Sequence, residues 1–418
     1  MLRIYLLVHS SIRLAILTLI VAGSIVVSAV AGELTQYFPA VPSGQTPPAK
    51  ESGWRITWQV LEPGTHNYGG SAILEFQSVE FMKGLKPDGS EDWIKVLNNL
   101  ALAEMYVPYN DGATEFLDIS NFNFRLRPAR ESYLPKHGVV SAKIEDQYVI
   151  SEVIDDGVRW LDNRDDFKVQ RGQALRLWTM LHAANYTYTL VYTFADDGRI
   201  SVRAGGTAQN LRDISDVLNS TSVNNATHVH MGAWRMEFDL GDASANRIEV
   251  VERELAPGTN TGQIAARPFN GGSEGGVLWN PEKYTIIKVT NTNTLNRHDP
   301  PRNISYVIKT KKTGKLKASN PITGNDFWVT RLVPDSESRR VQAPELRYVD
   351  LPDNIEAPEP ITDKAVVVWH NAGLHHIPRG EDFGATNYRA ADGAAINSYA
   401  GFDLVPVNLW DKTPFLKR

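Results

Sequence analysis

Two histidines one residue apart, His228 and His230, lie in a strand-like segment that ends near Asp239. In a β-strand, residues i and i+2 project from the same face, so the two imidazoles would be about 7 Å apart and could bind one metal ion. The same spacing also fits two polar residues on a surface. The pattern therefore raises a metal site as a hypothesis and does not decide it alone.

A second pair, His375 and His376, follows the apolar segment 366–369, and Pro378 restricts the backbone behind it. One of these histidines could supply a third ligand from a distant strand. Alternatively, both belong to a polar loop and only form hydrogen bonds. The chain has ten histidines and no cysteine, so any metal must be held by histidines and carboxylates. Zinc–thiolate sites, iron–sulfur clusters and cysteine nucleophiles are excluded.

Strand patterns dominate the segments that would position these residues. Residues 187–194 are rich in Thr, Tyr and Val, residues 200–204 alternate apolar with polar, and Asp196-Asp197-Gly198 between them predicts a hairpin turn. Residues 247–254 and 365–369 are also strand-like, whereas residues 93–99 fit either a short helix or a strand edge. These patterns predict a mostly antiparallel β fold, a large sandwich.

The N-terminal residues have the features of an export signal. Arg3 and Arg13 precede an apolar run over residues 14–31, which closes on the cleavage pattern Ala29-Val30-Ala31. We therefore predict an exported protein, with residues 1–31 as a signal peptide or an uncleaved membrane anchor. The Pro-rich residues 32–52 are predicted as a linker. A net charge of −5 without a basic patch argues against nucleic-acid binding.

Several motifs occur together in a characteristic order. They are Leu102-Ala103-Glu104-Met105 with Val107-Pro108-Tyr109, Asn185-Tyr186-Thr187-Tyr188, His228-Val229-His230, Phe327-Trp328-Val329-Thr330-Arg331, Trp369 through Arg379, and Gly401-Phe402 through Trp410-Asp411. In this combination the chain resembles the catalytic domain of the topaquinone-dependent copper amine oxidase family. The resemblance extends from about Trp54 to Pro414.

This resemblance implies a catalytic domain over residues 53–418, folded as the large β-sandwich of that family. It implies that His228, His230 and His376, rather than His375, bind Cu(II). It also implies that Tyr186 is the precursor of topaquinone, with Asn185 flanking the quinone. The expected reaction converts a primary amine and O₂ into an aldehyde, ammonia and hydrogen peroxide. The expected assembly is a homodimer.

The resemblance implies an aspartate as the catalytic base. Asp118 takes this position if the loop after Tyr109 is shorter than in the family, because Phe116 and Phe124 then align as well. A register without a gap would instead place Asn123 there, and an amide cannot take up the proton. We prefer Asp118. Tyr109 corresponds to the family's tyrosine at the substrate entrance.

The chain departs from the family pattern at several positions. Thr187 replaces the acidic residue after the cofactor tyrosine, and His182 stands where the family often has Thr. The family's peripheral calcium site is incomplete, because Glu237 and Asp239 are present but Ala365 stands where a ligand acid is expected. An alternative function is therefore a non-catalytic exported β-sandwich that retains the fold, with or without copper, and binds a ligand or a partner. An unrelated oxygenase with a histidine-only metal site is a third hypothesis.

Overall fold

Alternation of buried and partly buried side chains is typical of a β-strand with one face in the core, as in Gly53–Leu61, where every second residue from Trp54 onward is buried. The computed structural model describes residues 34–38, 53–61, 72–108, 115–121, 124–161, 169–183, 186–208, 228–256, 258, 262–312, 320–332, 351, 355, 357–376 and 397–411. Within these ranges, seven residues are described by their backbone only: Asn121, Ala183, Thr207, Ala208, His228, Leu255 and His376.

The described strands, in chain order, are β1 Leu34–Phe38, β2 Gly53–Leu61, β3 Ile73–Leu85, β4 Glu91–Pro108, β5 Glu115–Leu117, β6 Arg125–Leu126, β7 Val139–Glu145, β8 Val149–Leu161, β9 Val169–Ala183, β10 Tyr186–Ala195, β11 Ile200–Ala208, β12 His228–Phe238, β13 Asn246–Leu255, β14 Gly262–Pro268, β15 Gly275–Val277, β16 Ile286–Leu295, β17 Asn303–Lys311, β18 Phe327–Arg331, β19 Val366–His376 and β20 Ser398–Val407. A short α-helix, α1, spans Asp118–Asn121. Single 3₁₀ turns occur at Glu131–Tyr133, Ala243–Ala245, Phe269–Gly272 and Pro321–Gly324.

Among the described residues, these strands form two antiparallel sheets. The nine-stranded sheet has the order β1-β2-β3-β4-β12-β19-β18-β15, with β5 paired to β4. The eleven-stranded sheet has the order β14-β13-β16-β17-β20-β11-β10-β9-β8-β7, with β6 paired to β9. Strands distant in sequence are neighbours in both sheets, so segments far apart in the chain meet at one place. The prediction of a large antiparallel sandwich is confirmed.

The hydrophobic core lies between the two sheets and is rich in aromatic side chains. Trp54 of the smaller sheet packs against Phe194 of the larger one, with ring centroids 5.6 Å apart. Phe76 packs against Tyr192 in the same way, at 4.5 Å. Because each such ring buries a large apolar area, these pairs hold the faces of the two sheets together. Trp54 also donates a hydrogen bond from Nε1 to the carbonyl of Ala195, at 2.7 Å.

The structure settles several local expectations. The β10–β11 hairpin is confirmed, with Gly198 in its turn at φ +86° and its amide donating to the carbonyl of Ala195 at 3.0 Å. Residues 93–99 lie within strand β4, so the strand alternative is right. Part of the segment predicted as a linker, Leu34–Phe38, forms strand β1 and pairs with β2.

The predicted signal or anchor, residues 1–31, lies outside the described residues, as does the rest of the predicted linker apart from strand β1. In the part of the chain that the structure describes, no helix has both the length and the apolar character needed to span a membrane.

Candidate functional site

The backbone of β12 and β19 gathers the three predicted metal ligands at one end of a strand pair. His228 is directly opposite His376, and His230 is opposite Leu374. Directly opposed residues of antiparallel strands share a face, and so do residues i and i+2. Positions 228, 230 and 376 therefore occupy one face of the smaller sheet. His375 is opposite Val229, on the other face, and its side chain is exposed.

Of these three side chains, the structure describes that of His230, which is 1% exposed. It lies in the interior between the sheets. The side chains of His228 and His376 lie outside the described residues. Among the side chains that are described, no group of three or more His, Asp or Glu residues is arranged to hold a metal ion. The case for a metal centre therefore rests on the backbone register and on the environment of His230.

Tyr186 reaches this place from the opposite sheet. It begins strand β10, and with Tyr188 two residues later it faces the interior, where the two rings stack at 5.9 Å. Tyr186 is 7% exposed, and its ring meets that of His230 edge-on at 4.5 Å. A tyrosine of the larger sheet thus contacts a candidate metal ligand of the smaller one.

A glycine permits the close approach of the sheets beside this contact. Gly206 of β11 is the cross-strand partner of Tyr188. A Cβ atom at this position would come within 2.9 Å of Leu374 Cδ2. A larger residue at position 206 would therefore require the Leu374 side chain to move, in the region where Leu374 stands opposite His230.

Asp118 enters the same interior from a third direction. It is the first residue of helix α1, directly after strand β5, which pairs with β4. Its side chain is 5% exposed. The hydroxyl of Tyr188 donates to Asp118 Oδ2 at 2.6 Å and lies 2.7 Å from His230 Nδ1. Asp118, Tyr188 and His230 therefore form a continuous hydrogen-bonded chain.

This chain fixes the expected tautomer of His230. A phenol has one proton, and the structure directs it to the Asp118 carboxylate. Nδ1 of His230 must then carry the proton that it donates to the Tyr188 oxygen. The imidazole lone pair consequently resides on Nε2, as in metal-bound histidines whose other nitrogen donates to a protein acceptor. This assignment follows from the hydrogen-bond network.

The environment of Asp118 suits a base that acts near neutral pH. Burial disfavours the charged carboxylate and raises its pKa to about 6, while the hydrogen bond from Tyr188 acts in the opposite direction. A carboxyl with a pKa in this range is mostly ionised at pH 7. It also binds a proton far more readily than a carboxylate in water.

Comparison with known proteins decides the family. The family model "Copper amine oxidase, enzyme domain" matches residues 141–418. The chain belongs to the copper amine oxidase family. The match begins after Asp118, so it includes Tyr186 and the three histidines but not the candidate base.

Similar proteins agree with this assignment. The amine oxidase [copper-containing] gamma 2 of Arabidopsis thaliana is 25% identical over 269 residues, which cover 56% of this chain and 37% of the relative. The primary amine oxidase of Klebsiella aerogenes is 25% identical over 271 residues, 56% of this chain and 34% of the relative. The chain thus spans about a third of the length of these relatives.

The fold agrees as well. The crystal structure of a copper-containing benzylamine oxidase from Hansenula polymorpha superposes with a TM-score of 0.60 at 18% identity. The superposition covers 86% of this chain and 61% of the other. At this identity the likeness shows a shared fold, which matches the antiparallel sandwich described above.

The two local departures from the family motif form a single pair. Thr187 and His182 are cross-strand partners on β10 and β9. Because alternate residues of a strand face opposite sides, Thr187 faces away from the interior that Tyr186 and Tyr188 share. The replaced acid therefore lies on the outer face of the larger sheet, beside His182. Burial and the charge of Arg127 lower the pKa of His182, against a hydrogen bond to the Tyr186 backbone.

Other expected site residues are not described. Tyr109, Asn123 and Asn185 lie outside the described residues. The carboxylates expected at the calcium site have protein partners: Glu237 pairs with Arg235, and Asp239 accepts from Asn98 at 3.0 Å and from the amide of Gly241 at 2.9 Å. The sequence analysis assigned no role to Tyr188. Its spacing of two from Tyr186, within a strand, is the signal that could have placed it on the same face.

A groove of about 550 Å³ lies elsewhere in the described part of the molecule. Thr189, Val191 and Thr193 of β10 contribute to its lining. These residues alternate with Tyr186, Tyr188 and Tyr192, so the groove lies on the outer face of the larger sheet. It is separated from the Tyr186–His230 contact by the sheet itself.

Proposed function

We propose that the protein is a primary-amine oxidase that uses copper and a quinone derived from Tyr186. The proposal is carried by one observation: the ring of Tyr186 lies 4.5 Å from that of His230, at the end of the strand pair where His228 stands opposite His376. The cofactor precursor of the family motif and a residue of its metal motif thus come from different sheets and meet in the interior.

The available donors fit Cu(II). The chain offers three imidazoles at paired backbone positions and no thiolate. Neutral imidazoles suit Cu(II) and leave coordination positions open. In this proposal, His228, His230 and His376 hold the copper, and His230 contributes Nε2 because Nδ1 is directed at Tyr188. The bound copper and quinone would supply the electrophile for the amine and the reactivity toward O₂.

The remaining steps belong to the chain's own residues. Asp118 would take the proton from the carbon next to the substrate nitrogen, at Oδ1, since Oδ2 accepts from Tyr188. The raised pKa of Asp118 suits this task at neutral pH. Tyr188 would hold the carboxylate in one orientation and link it to His230. The buried rings around this chain, among them Phe124 at 5.7 Å from Tyr188, keep water from the carboxyl group.

We propose a primary amine and O₂ as substrates, in a catalytic domain spanning residues 53–418. We also propose a homodimer, to be tested by sedimentation. Export of the mature protein is a further proposal, and N-terminal sequencing of secreted material would locate the cleavage site.

The test of the proposal is Tyr186→Phe in full-length protein supplied with copper and O₂. The variant should bind copper but develop no quinone colour, give no phenylhydrazine adduct and release no hydrogen peroxide with amines. The matched control is Tyr192→Phe, on the same face of the same buried strand, which should retain all three signals. Amine turnover by Tyr186→Phe would contradict the cofactor assignment. A colourless wild-type protein that still binds copper would favour the non-catalytic binding function.

A further inference from the structure

Strand β4 carries a buried acid that the proposed mechanism does not use. Glu104 is 2% exposed and lies in the long apolar half of β4. It stands opposite Ala233 of β12, where the pairing register shifts between Ala233 and Trp234. Such a shift marks a β-bulge, a feature that redirects a side chain. A carboxyl group so deeply buried requires a reason, because burial of a charge is costly unless donors compensate for it.

The donors are supplied mainly by the turn that carries Asp118. Glu104 Oε1 accepts from the amide of Ile119 at 2.8 Å and from the amide of Met105 at 2.9 Å. Glu104 Oε2 accepts from the hydroxyl of Ser120 at 2.6 Å. Two of the three donors are therefore the residues that directly follow Asp118. One carboxyl group bridges strand β4 to helix α1.

Helix α1 needs such an external support. It has four residues, Asp118–Asn121. A single helical turn is unstable on its own, because nucleation fixes several dihedral angles for one hydrogen bond. The hydrogen bonds from Ile119 and Ser120 to Glu104 supply partners for this turn. They thereby fix the direction in which the side chain of Asp118 projects from the backbone.

The two carboxyl groups also interact electrostatically. Burial raises the pKa of Glu104 to about 7; its three hydrogen bonds oppose this shift, and the charge of Asp118 adds to it. Asp118 is faced by Tyr188 of β10, and Tyr188 in turn by His230 of β12. Asp118 therefore lies between a neutral phenol and a second acid. A charge on either carboxyl makes ionisation of the other less favourable.

We propose that Glu104 is a positioning residue for the base: it holds the single-turn helix that presents Asp118. This inference rests on the proposed function, in which Asp118 removes the substrate proton. It assigns Glu104 no contact with substrate, copper or quinone.

The test uses two substitutions of Glu104 in the full chain. Glu104→Gln keeps an oxygen that can accept from Ile119 and Met105, but it removes the charge. Glu104→Ala removes both the oxygen acceptors and the charge. The matched control is Glu75→Gln: Glu75 is also buried and accepts from Asn99 at 2.7 Å and Gln59 at 2.9 Å, on strand β3 away from α1.

Hydrogen–deuterium exchange at the Ile119 amide tests the positioning role without any turnover. Glu104→Ala should accelerate this exchange by about ten-fold, the equivalent of one lost hydrogen bond. Glu104→Gln and Glu75→Gln should leave it close to wild type. If Glu104→Ala does not fold, the comparison of Asp118→Asn with wild type by the next measurement carries the test. Unchanged exchange in a folded Glu104→Ala protein would overturn the proposal.

The closeness of the two carboxyl groups is tested by titrating Glu104. The infrared band of a protonated carboxyl that disappears in Glu104→Gln reports this group, with or without copper. In Asp118→Asn this band should be lost at lower pH than in wild type, because the charge of Asp118 raises the pKa of Glu104. In Glu104→Ala, kcat should fall more than KM changes, because the base is displaced while the rest of the site is retained. An unshifted band would overturn the proposal. A shifted band in a protein that oxidises no amine would instead refute the proposed function and leave the role of Glu104 intact.

Discussion

Two buried histidines, His230 and His370, lie on the paired strands β12 and β19, and their surroundings differ in kind. His370 is opposite Trp234 in the register that also pairs His228 with His376. Its Nδ1 lies 3.1 Å from the carbonyl oxygen of Asp326, and its Nε2 lies 3.1 Å from the hydroxyl of Thr310. Both ring nitrogens are therefore engaged by the protein. Burial and the charge of Lys312 lower the pKa of His370 to about 3, so the ring stays neutral.

The partners of His230 are side chains that can exchange protons or, for Tyr186, form the proposed cofactor. Its Nδ1 faces the hydroxyl of Tyr188, which donates to Asp118, and its ring contacts Tyr186. His370 instead stacks on Phe327 at 4.3 Å. Residue type, strand pair and burial are thus the same in both cases. What separates a structural histidine from a candidate ligand is the set of atoms that meet its two nitrogens.

The acids beside the two histidines differ in the same way. Asp326 forms a buried ion pair with Lys312, whose side chain is 3% exposed. Asp118 is bonded to a phenol hydroxyl, and burial raises its pKa. The partner of the Asp326 carboxylate is an ammonium group, whereas the partner of Asp118 is a phenol hydroxyl. The middle of the strand pair, at His370, therefore suits stability, and its end, at His230, suits chemistry.

The largest contrast should come from replacing each histidine by alanine. His230→Ala should lose copper and, with it, all quinone colour and amine turnover, because one of three ligands is removed. His370→Ala should retain copper and colour but lose about 2–5 kcal/mol of unfolding free energy, from the cavity and the unpaired polar groups that remain. Metal analysis and denaturant unfolding measure both. Copper retention by His230→Ala, or its loss in a folded His370→Ala protein, would contradict the comparison.

Removing the charge of Asp118 and breaking the Asp326–Lys312 ion pair should change the free energy of unfolding in opposite directions. Asp118→Asn should lower turnover by about 10²- to 10⁴-fold, the usual contribution of a general base, while keeping the quinone colour. It should also stabilise the protein at pH 7. A native pKa of about 6 against 3.8 in the unfolded chain costs the native state roughly 3 kcal/mol once the carboxyl is ionised.

The pH dependence of this gain follows from proton binding. Between the two pKa values the native state binds more protons at Asp118 than the unfolded state does, so stability falls as pH rises through that window. The gain in stability of Asp118→Asn should therefore appear above pH 4 and be complete above pH 6.

Lys312→Met is the corresponding test of the Asp326–Lys312 ion pair. It should destabilise the fold by about 3–5 kcal/mol and leave turnover unchanged. A stability loss at pH 7 in Asp118→Asn would show that Asp118, like Asp326, stabilises the fold.

The smallest effect is expected for Tyr188→Phe. Removing the hydroxyl removes the hydrogen bond that favours the ionised Asp118, so the pKa of Asp118 should rise and the acid limb of kcat/KM should move to higher pH. The loss at neutral pH should be about ten-fold, the lower limit of what one hydrogen bond to a charged group contributes. A kinetic pH profile provides the measurement. An unshifted acid limb would mean that Tyr188 does not control the base.

The sequence predicts the local elements of this fold well. Alternating Thr, Tyr and Val residues with Asp196-Asp197-Gly198 define the β10–β11 hairpin, and the spacing of His228 and His230 places them on one strand face. The order of motifs predicts the family. Strand β1 escapes prediction because it lies in a Pro-rich segment, and its hydrogen bonds come from β2. Residues 93–99 are ambiguous by themselves and become strand through pairing with β3.

The assembly of the site is less accessible from sequence. Periodicity shows which face of a strand a residue occupies but not which sheet the strand belongs to. The contact of Tyr186 with His230 across the core therefore depends on the tertiary structure. The role of Tyr188 depends on Asp118, which reaches it through helix α1. Glu104 stands in an apolar run, where only the folded structure reveals its partners in that helix.

The most direct test of the central claim is anomalous diffraction at the copper absorption edge, from crystals of the full chain loaded with copper in the absence of O₂. The account predicts a copper peak between the side chains of His228, His230 and His376, next to an unmodified Tyr186. Exposure of the same crystals to O₂ should then alter the electron density of the Tyr186 ring. A copper peak remote from Tyr186, or a site that His230 does not share, would contradict the account.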